Sequence, residues 1–135
     1  MMQKFLFTLV LLINIFFLSA QTTSWRGTTS TSWNTASNWT NGVPTATVSA
    51  IIGDENFIGS YQPNAKAANC FNLTIGGTKA STLTYSHPFT VNGTLTIQTN
   101  GTMTHTSNKN LTIKGNFICN GTFNPSRGGA YFCWN

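Results

Sequence analysis

The chain has 135 residues, with seven Lys and Arg against two Asp and Glu, 13% aromatic residues and only 7% charged ones. Two acids leave almost nothing for acid–base hydrolysis. The cations Arg26, Lys66, Lys79, Lys109, Lys114 and Arg127 are scattered, which argues against the clustered basic footprint of a nucleic-acid binder.

Residues 1–20 read as a signal peptide. Lys4 supplies the positive start, Phe5 to Leu18 the apolar stretch, and Ser19-Ala20 the small residues before a cut ahead of Gln21. The apolar run is shorter than the roughly 20 residues of a membrane span, so the expected product is exported, with no span left after cleavage. About 115 residues then remain, enough for one domain with its own core.

Residues 21–44 lack any period-2 pattern. They read Trp25-Arg-Gly27, Trp33-Asn34 and Asn38-Trp39-Thr-Asn-Gly42-Val-Pro44, in which Gly, Asn, Ser and Pro mark turns and three Trp need cover. The expected role is an N-terminal cap for a repeat array, because an open array end exposes core and unpaired strand edges. The sharper alternative makes Trp25, Trp33 and Trp39 a platform on which sugars stack, the chemistry of a carbohydrate-binding module.

From residue 45 to 125 the pattern becomes that of β-solenoid rungs. Ala46, Val48, Ala50 and Ile52 share one face of a first strand, and Gly53 to Asn69 reads as loop. From Phe71 to Phe123 apolar residues then hold odd positions and Thr even ones. The odd set contains Phe71, Leu73, Ile75, Leu83, Tyr85, Phe89, Val91, Leu95, Ile97, Met103, Leu111, Ile113, Phe117, Cys119 and Phe123. Successive strand side chains point to opposite faces, so this parity means one dry and one wet face on consecutive strands.

The stretch also repeats. Phe89-Thr-Val91-Asn-Gly93-Thr-Leu95-Thr-Ile97 lies over Leu111-Thr-Ile113-Lys-Gly115-Asn-Phe117-Ile-Cys119, and a shorter copy starts at Leu73-Thr-Ile75-Gly-Gly77. The offsets are 16 residues (73 to 89) and 22 (89 to 111). Self-similarity near 20 residues with Gly at the bends is the signature of a solenoid. The expected fold is all-β, a right-handed parallel β-helix with an N-terminal cap. It should stack Leu73, Phe89 and Leu111 in one core column, Ile75, Val91 and Ile113 in the next, and Gly77, Gly93 and Gly115 at one corner. The rival is an antiparallel β-sandwich, in which Asn92-Gly93, Asn100-Gly101 and Asn120-Gly121 are type I′ hairpin turns.

The cap motif, the strand from Val48 to Ile52 and Cys70-Phe-Asn-Leu-Thr-Ile75 together resemble the start of large secreted surface proteins of Bacteroidetes. Those proteins open on such a Trp-rich cap, continue as autotransporter-like β-solenoid repeats and end in a type IX secretion sorting domain. The resemblance covers most of the chain and implies a secreted or cell-surface location. It also implies a structural or adhesive role and continuation into a longer chain. Residues 126–135 abandon the parity and carry no sorting domain, so they are expected to be an irregular, truncated tail.

Catalytic chemistry finds little footing. Asp54 and Glu55 are neighbours, so on a strand they point apart. His87 and His105 stand singly, without a nucleophile pattern. Cys70, Cys119 and Cys133 lack the close Cys and His spacing of a metal site, and no cofactor is implied. Cys119 aligns with Ile97 and reads as a small buried hydrophobe; no disulfide is assigned. The expected partners are surface glycans or other cell-surface components.

The outward Thr residues invite comparison with the Thr-x-Thr face of some antifreeze proteins. Thr82-x-Thr84, Thr94-x-Thr96 and Thr102-x-Thr104 fit locally, but Asn116-Phe-Ile118 stands where the next copy of Thr94-Leu-Thr96 should be. On that register the Thr residues read as ordinary strand formers.

Overall fold

The period-2 alternation produces twelve short strands in the computed structural model, which describes residues 21–126. The strands are β1 (Thr22–Ser24), β2 (Ser49–Ile52), β3 (Asn64–Ala65), β4 (Ala68–Cys70), β5 (Leu73–Ile75) and β6 (Ser81–Tyr85). They continue as β7 (Phe89–Val91), β8 (Leu95–Ile97), β9 (Gly101–His105), β10 (Leu111–Ile113), β11 (Phe117–Cys119) and β12 (Thr122–Asn124). Strands this short bury little alone, and each finds its partners one turn away along the solenoid.

Three parallel sheets result. The first runs β1-β2-β5-β8-β11, the second β3-β6-β9-β12 and the third β4-β7-β10. From β2 onward the chain visits first, second and third sheet in turn, giving about three coils of a β-solenoid. All pairings between the named strands are parallel, which excludes the sandwich reading. The Asn-Gly corners are not type I′ turns either. That turn needs positive φ at both central residues, and positive φ occurs among the described residues only at Gly27, Gly42, Gly53, Gly76, Gly77 and Ala67.

The structure corrects the expected core columns. Leu73 lies beside Leu95, and Leu95 beside Phe117, on the first sheet; Ile75, Ile97 and Cys119 form the neighbouring column. Phe89 pairs instead with Ala68 and Leu111, and Val91 with Cys70 and Ile113, on the third sheet. The physical reason is that Leu-Thr-Ile occurs at 73–75, 95–97 and 111–113, so local likeness does not say which face a copy occupies. Turn length does: a coil takes 22 residues from Leu73 to Leu95 and again to Phe117.

The glycine column is corrected in the same way. Gly115 donates its N–H to the Gly93 carbonyl at 3.0 Å and Gly93 donates to the Phe71 carbonyl at 2.8 Å. Gly77 belongs to the corner between the first and second sheets, at φ 143°. There Asn100 clamps it, its Oδ1 accepting from the Gly77 N–H at 2.8 Å and its Nδ2 donating to the Gly77 carbonyl at 2.7 Å.

The segment from Gly53 to Asn69 is more than loop, since β3 and β4 complete the first coil inside it. The parity also reverses at a corner. Cys70 faces inward and is fully buried, while Phe71, expected inward, is exposed.

The chain enters through β1, which pairs with β2, and then crosses the end of the solenoid. Trp25, Trp33 and Trp39 pack edge-on there, with ring centroids 5.0 Å apart for Trp25 and Trp39 and 4.7 Å for Trp33 and Trp39. Trp33 reaches the ring of Phe89 at 5.2 Å. The small side chains of Ala65 and Ala68, both buried beside it in the core, leave room for the indole.

Gly27 shows why Trp25-Arg-Gly27 ends in glycine. Its φ is 62°, and a Cβ would stand 2.5 Å from the Tyr61 carbonyl oxygen and 2.6 Å from the Phe57 ring. Asn38 organises the same segment from a fully buried position. Its Oδ1 accepts from the N–H groups of Thr29 (3.0 Å) and Ser30 (3.1 Å), and its Nδ2 donates to Ser30 Oγ (3.1 Å) and the Ser32 carbonyl (3.0 Å).

Candidate functional site

Parallel stacking multiplies whatever points outward. On the second sheet the outward positions are Thr82 and Thr84 of β6, Thr102 and Thr104 of β9, and Thr122 and Asn124 of β12. The register places Thr82, Thr102 and Thr122 in one column and Asn64, Thr84, Thr104 and Asn124 in the next. The result is a grid of β-hydroxyls on a strand face, bounded at both ends of one column by asparagine. The rung repeat of stacked strands is about 4.8 Å and the repeat between alternate residues along a strand about 6.7 Å.

The grid hydroxyls are largely free. Among the described residues, those of Thr82, Thr84, Thr102 and Thr122 have no hydrogen-bond partner, and Thr104 Oγ1 accepts one from Asn124 Nδ2 at 3.4 Å. None of the six outward positions on β6, β9 and β12 is ionisable. Threonine's branched Cβ restricts χ1, so such hydroxyls are held in place with little entropy to lose on binding. Gln62 borders the face, its Oε1 accepting from the Thr82 N–H at 2.9 Å.

The other two sheets present no such grid. The outward column of the first reads Ile51, Thr74, Thr96 and Ile118, and that of the third Asn69, Thr90 and Thr112. The 20-residue recurrence of Thr82, Thr102 and Thr122 was legible in the sequence. It was missed because the repeat was aligned on Leu-Thr-Ile, which compared Thr94-Leu-Thr96 with Asn116-Phe-Ile118. Those residues lie at another corner and face. An open polar groove of about 530 Å³ runs beside the grid, lined by Gly77, Thr96, Gln98, Thr99, Asn100 and Asn120.

The sugar-stacking reading of the tryptophans is corrected. Trp25, Trp33 and Trp39 are 0, 1 and 3% exposed, so none offers a ring face to a ligand. Two of the indoles also use their N–H groups internally, Trp25 Nε1 on the Tyr61 carbonyl at 2.8 Å and Trp39 Nε1 on the Trp33 carbonyl at 2.7 Å. Leu73, Ile75, Phe89, Val91, Leu95, Ile97, Leu111 and Ile113 are buried core. Cys119 is the exception, since it faces inward in register with Ile97 yet is exposed, and Phe117 is only partly buried. Both lie on the last strand of their sheet among the described residues, so nothing described stacks on the far side.

The ionisable groups have structural partners. The Asp54 carboxylate accepts from Ser24 Oγ at 2.6 Å and from the Asn56 N–H (3.1 Å) and Nδ2 (3.0 Å), which fastens its loop to β1; Glu55 is exposed. His105 lies flat on the Tyr85 ring, centroids 4.3 Å apart and planes within 5°. Its Nδ1 contacts Ser126 Oγ at 3.1 Å and its Nε2 Ser107 Oγ at 3.3 Å. Burial lowers the His105 pKa below the usual imidazole range and pushes the Cys70 thiol up to about 12, so Cys70 is an inert core thiol. His87 sits at an exposed corner beside Ser86 Oγ, 3.0 Å from its Nδ1.

Among the described residues no three His, Cys, Asp or Glu side chains gather as a metal ion would need, and no helix is long and apolar enough to cross a membrane. The signal segment at 1–20, Cys133 and the tail beyond Ser126 lie outside the described residues. The model of one family, a domain of unknown function (DUF8693), matches residues 24–132. No curated protein and no solved structure matches the chain.

Proposed function

The chain belongs to the DUF8693 family, and we propose that it is an exported, non-catalytic β-solenoid segment of a cell-surface or secreted protein, with a structural and adhesive role. Its binding surface is the threonine grid of the second sheet. Adhesion spread over a repeated surface needs the same group at the same place in successive coils, and the grid supplies that with Thr82, Thr102 and Thr122 in register. This alignment is the observation that carries the reading.

Two further features support it. The apolar leader with Lys4 ahead of it favours export. The likeness of the Trp-rich cap to the opening of Bacteroidetes surface proteins favours a place on the cell exterior. The two acids that sugar hydrolysis would recruit are otherwise engaged or apart: Asp54 is tied to Ser24 and Asn56, and Glu55 stands in the adjoining exposed turn.

Cell fractionation tests this. An antibody against residues 73–123 should find the product at the cell surface or in the medium, and labelled protein should adhere there in a manner that Thr104→Lys weakens. Detection in the cytosol alone overturns the export, and adhesion indifferent to Thr104→Lys overturns the use of this face.

A further inference from the structure

We infer that the ligand class of the threonine grid is ordered water, so that the second sheet is an ice-binding face; the inference rests on the reading of that sheet as the binding surface. Three properties of the grid lead there. The first is its lattice. Stacked parallel strands repeat about every 4.8 Å and alternate residues along a strand about every 6.7 Å, both close to the oxygen repeats on the prism faces of hexagonal ice. Thr82, Thr84, Thr102, Thr104 and Thr122 occupy such points in register, with Asn124 at the sixth.

The second property is availability. Four of the five threonine hydroxyls have no protein partner among the described residues, so each is free to join a water network. Threonine also places a methyl beside each hydroxyl, and its restricted χ1 keeps the two in a constant arrangement from coil to coil. The groups need not be ordered at the moment of contact, so little side-chain entropy is lost on binding.

The third property is charge. The six positions carry hydroxyl and amide groups and no ion, complementary to a neutral lattice and unsuited to an anionic polymer. A neutral polysaccharide is the competing occupant. Sugar faces are commonly met by aromatic rings, and none stands at these six positions, whereas the rings of the cap are buried. The regular hydroxyl spacing therefore favours ice over a glycan.

The test grows a single ice crystal slowly from a dilute solution of the fluorescently labelled full chain. It is repeated with Thr104→Lys, which puts a long cation at the centre of the grid, and with Thr96→Lys on the first sheet. Circular dichroism and thermal melting establish that the variants fold, and Thr104→Val serves as a second, smaller grid variant. The expected result is wild type and Thr96→Lys concentrated in the ice, Thr104→Lys excluded like an inert control protein, and Thr104→Val reduced. Exclusion of the wild type overturns the inference, as does incorporation of Thr104→Lys equal to wild type. Parallel sedimentation with microcrystalline cellulose and chitin separates the two levels of reading. Binding to either that Thr104→Lys abolishes, with no entry into ice, overturns ice as the ligand and leaves the grid standing as an adhesive face.

Discussion

Ile97 and Cys119 are cross-strand neighbours in one column, both facing inward, yet Ile97 is wholly buried and Cys119 is exposed. At the opposite end of the solenoid the chain lays three tryptophans across the core, and they are among the most buried side chains it has. The contrast teaches that in a solenoid, facing inward is a property of one strand, whereas burial is a property of the stack. A rung is covered only by the rung or cap beyond it.

Substitutions at the two ends put the contrast to the test. Trp39→Ala removes an indole that packs on both Trp25 and Trp33 and donates to the Trp33 carbonyl at 2.7 Å, so it should cost about 3–5 kcal/mol in denaturant unfolding. A loss as small as that of a surface change would mean the cap does not seal the core. Ile97→Ala, in a covered rung, should cost roughly 2–4 kcal/mol on the same measurement. Asn38→Ala strands the Thr29 and Ser30 N–H groups that its Oδ1 accepts, at about 1–3 kcal/mol. Its effect should appear as faster amide exchange of residues 29–32 while β8 and β9 keep their protection.

His105 adds a pH dependence. Its native pKa lies below that of the unfolded chain, so the unfolded state binds the proton more readily and stability rises with pH. The contribution is complete above about pH 6.5, the ordinary imidazole value. It is lost as the pH falls from there toward the native pKa. Melting temperatures of wild type between pH 7.5 and 5 should therefore fall more than those of His105→Phe, which keeps a ring on Tyr85; parallel curves would show that burial of this imidazole does not drive the dependence. The smallest effect belongs to Cys119→Ser, expected within about 0.5 kcal/mol of wild type because the thiol is exposed. A cost rivalling that of Ile97→Ala would show that the last described rung is covered after all.

The inward set from Leu73 to Ile113 was legible in the sequence because strand alternation is local: each residue's face follows from its immediate neighbours. Failures came at corners. Phe71 was placed inward and Cys70 outward, since a bend between strands resets the parity that a run of odd positions implies. The same limit hid β3 and β4, whose strands are two and three residues long and too short to show a period. The candidate site suffered most. Thr82, Thr102 and Thr122 were visible as threonines, but their meeting on one face depended on a coil length that the recurring Leu-Thr-Ile disguised.

By itself the sequence determined that the chain is β throughout, that its strands have a dry and a wet side, and that they repeat as coils, because hydrophobic periodicity and self-similarity are written along the chain. The tertiary structure alone decided which coil residue lies over which. Register between strands some 20 residues apart depends on how many residues each corner consumes and on clamps such as Asn100 on Gly77, and only the closed stack reveals both.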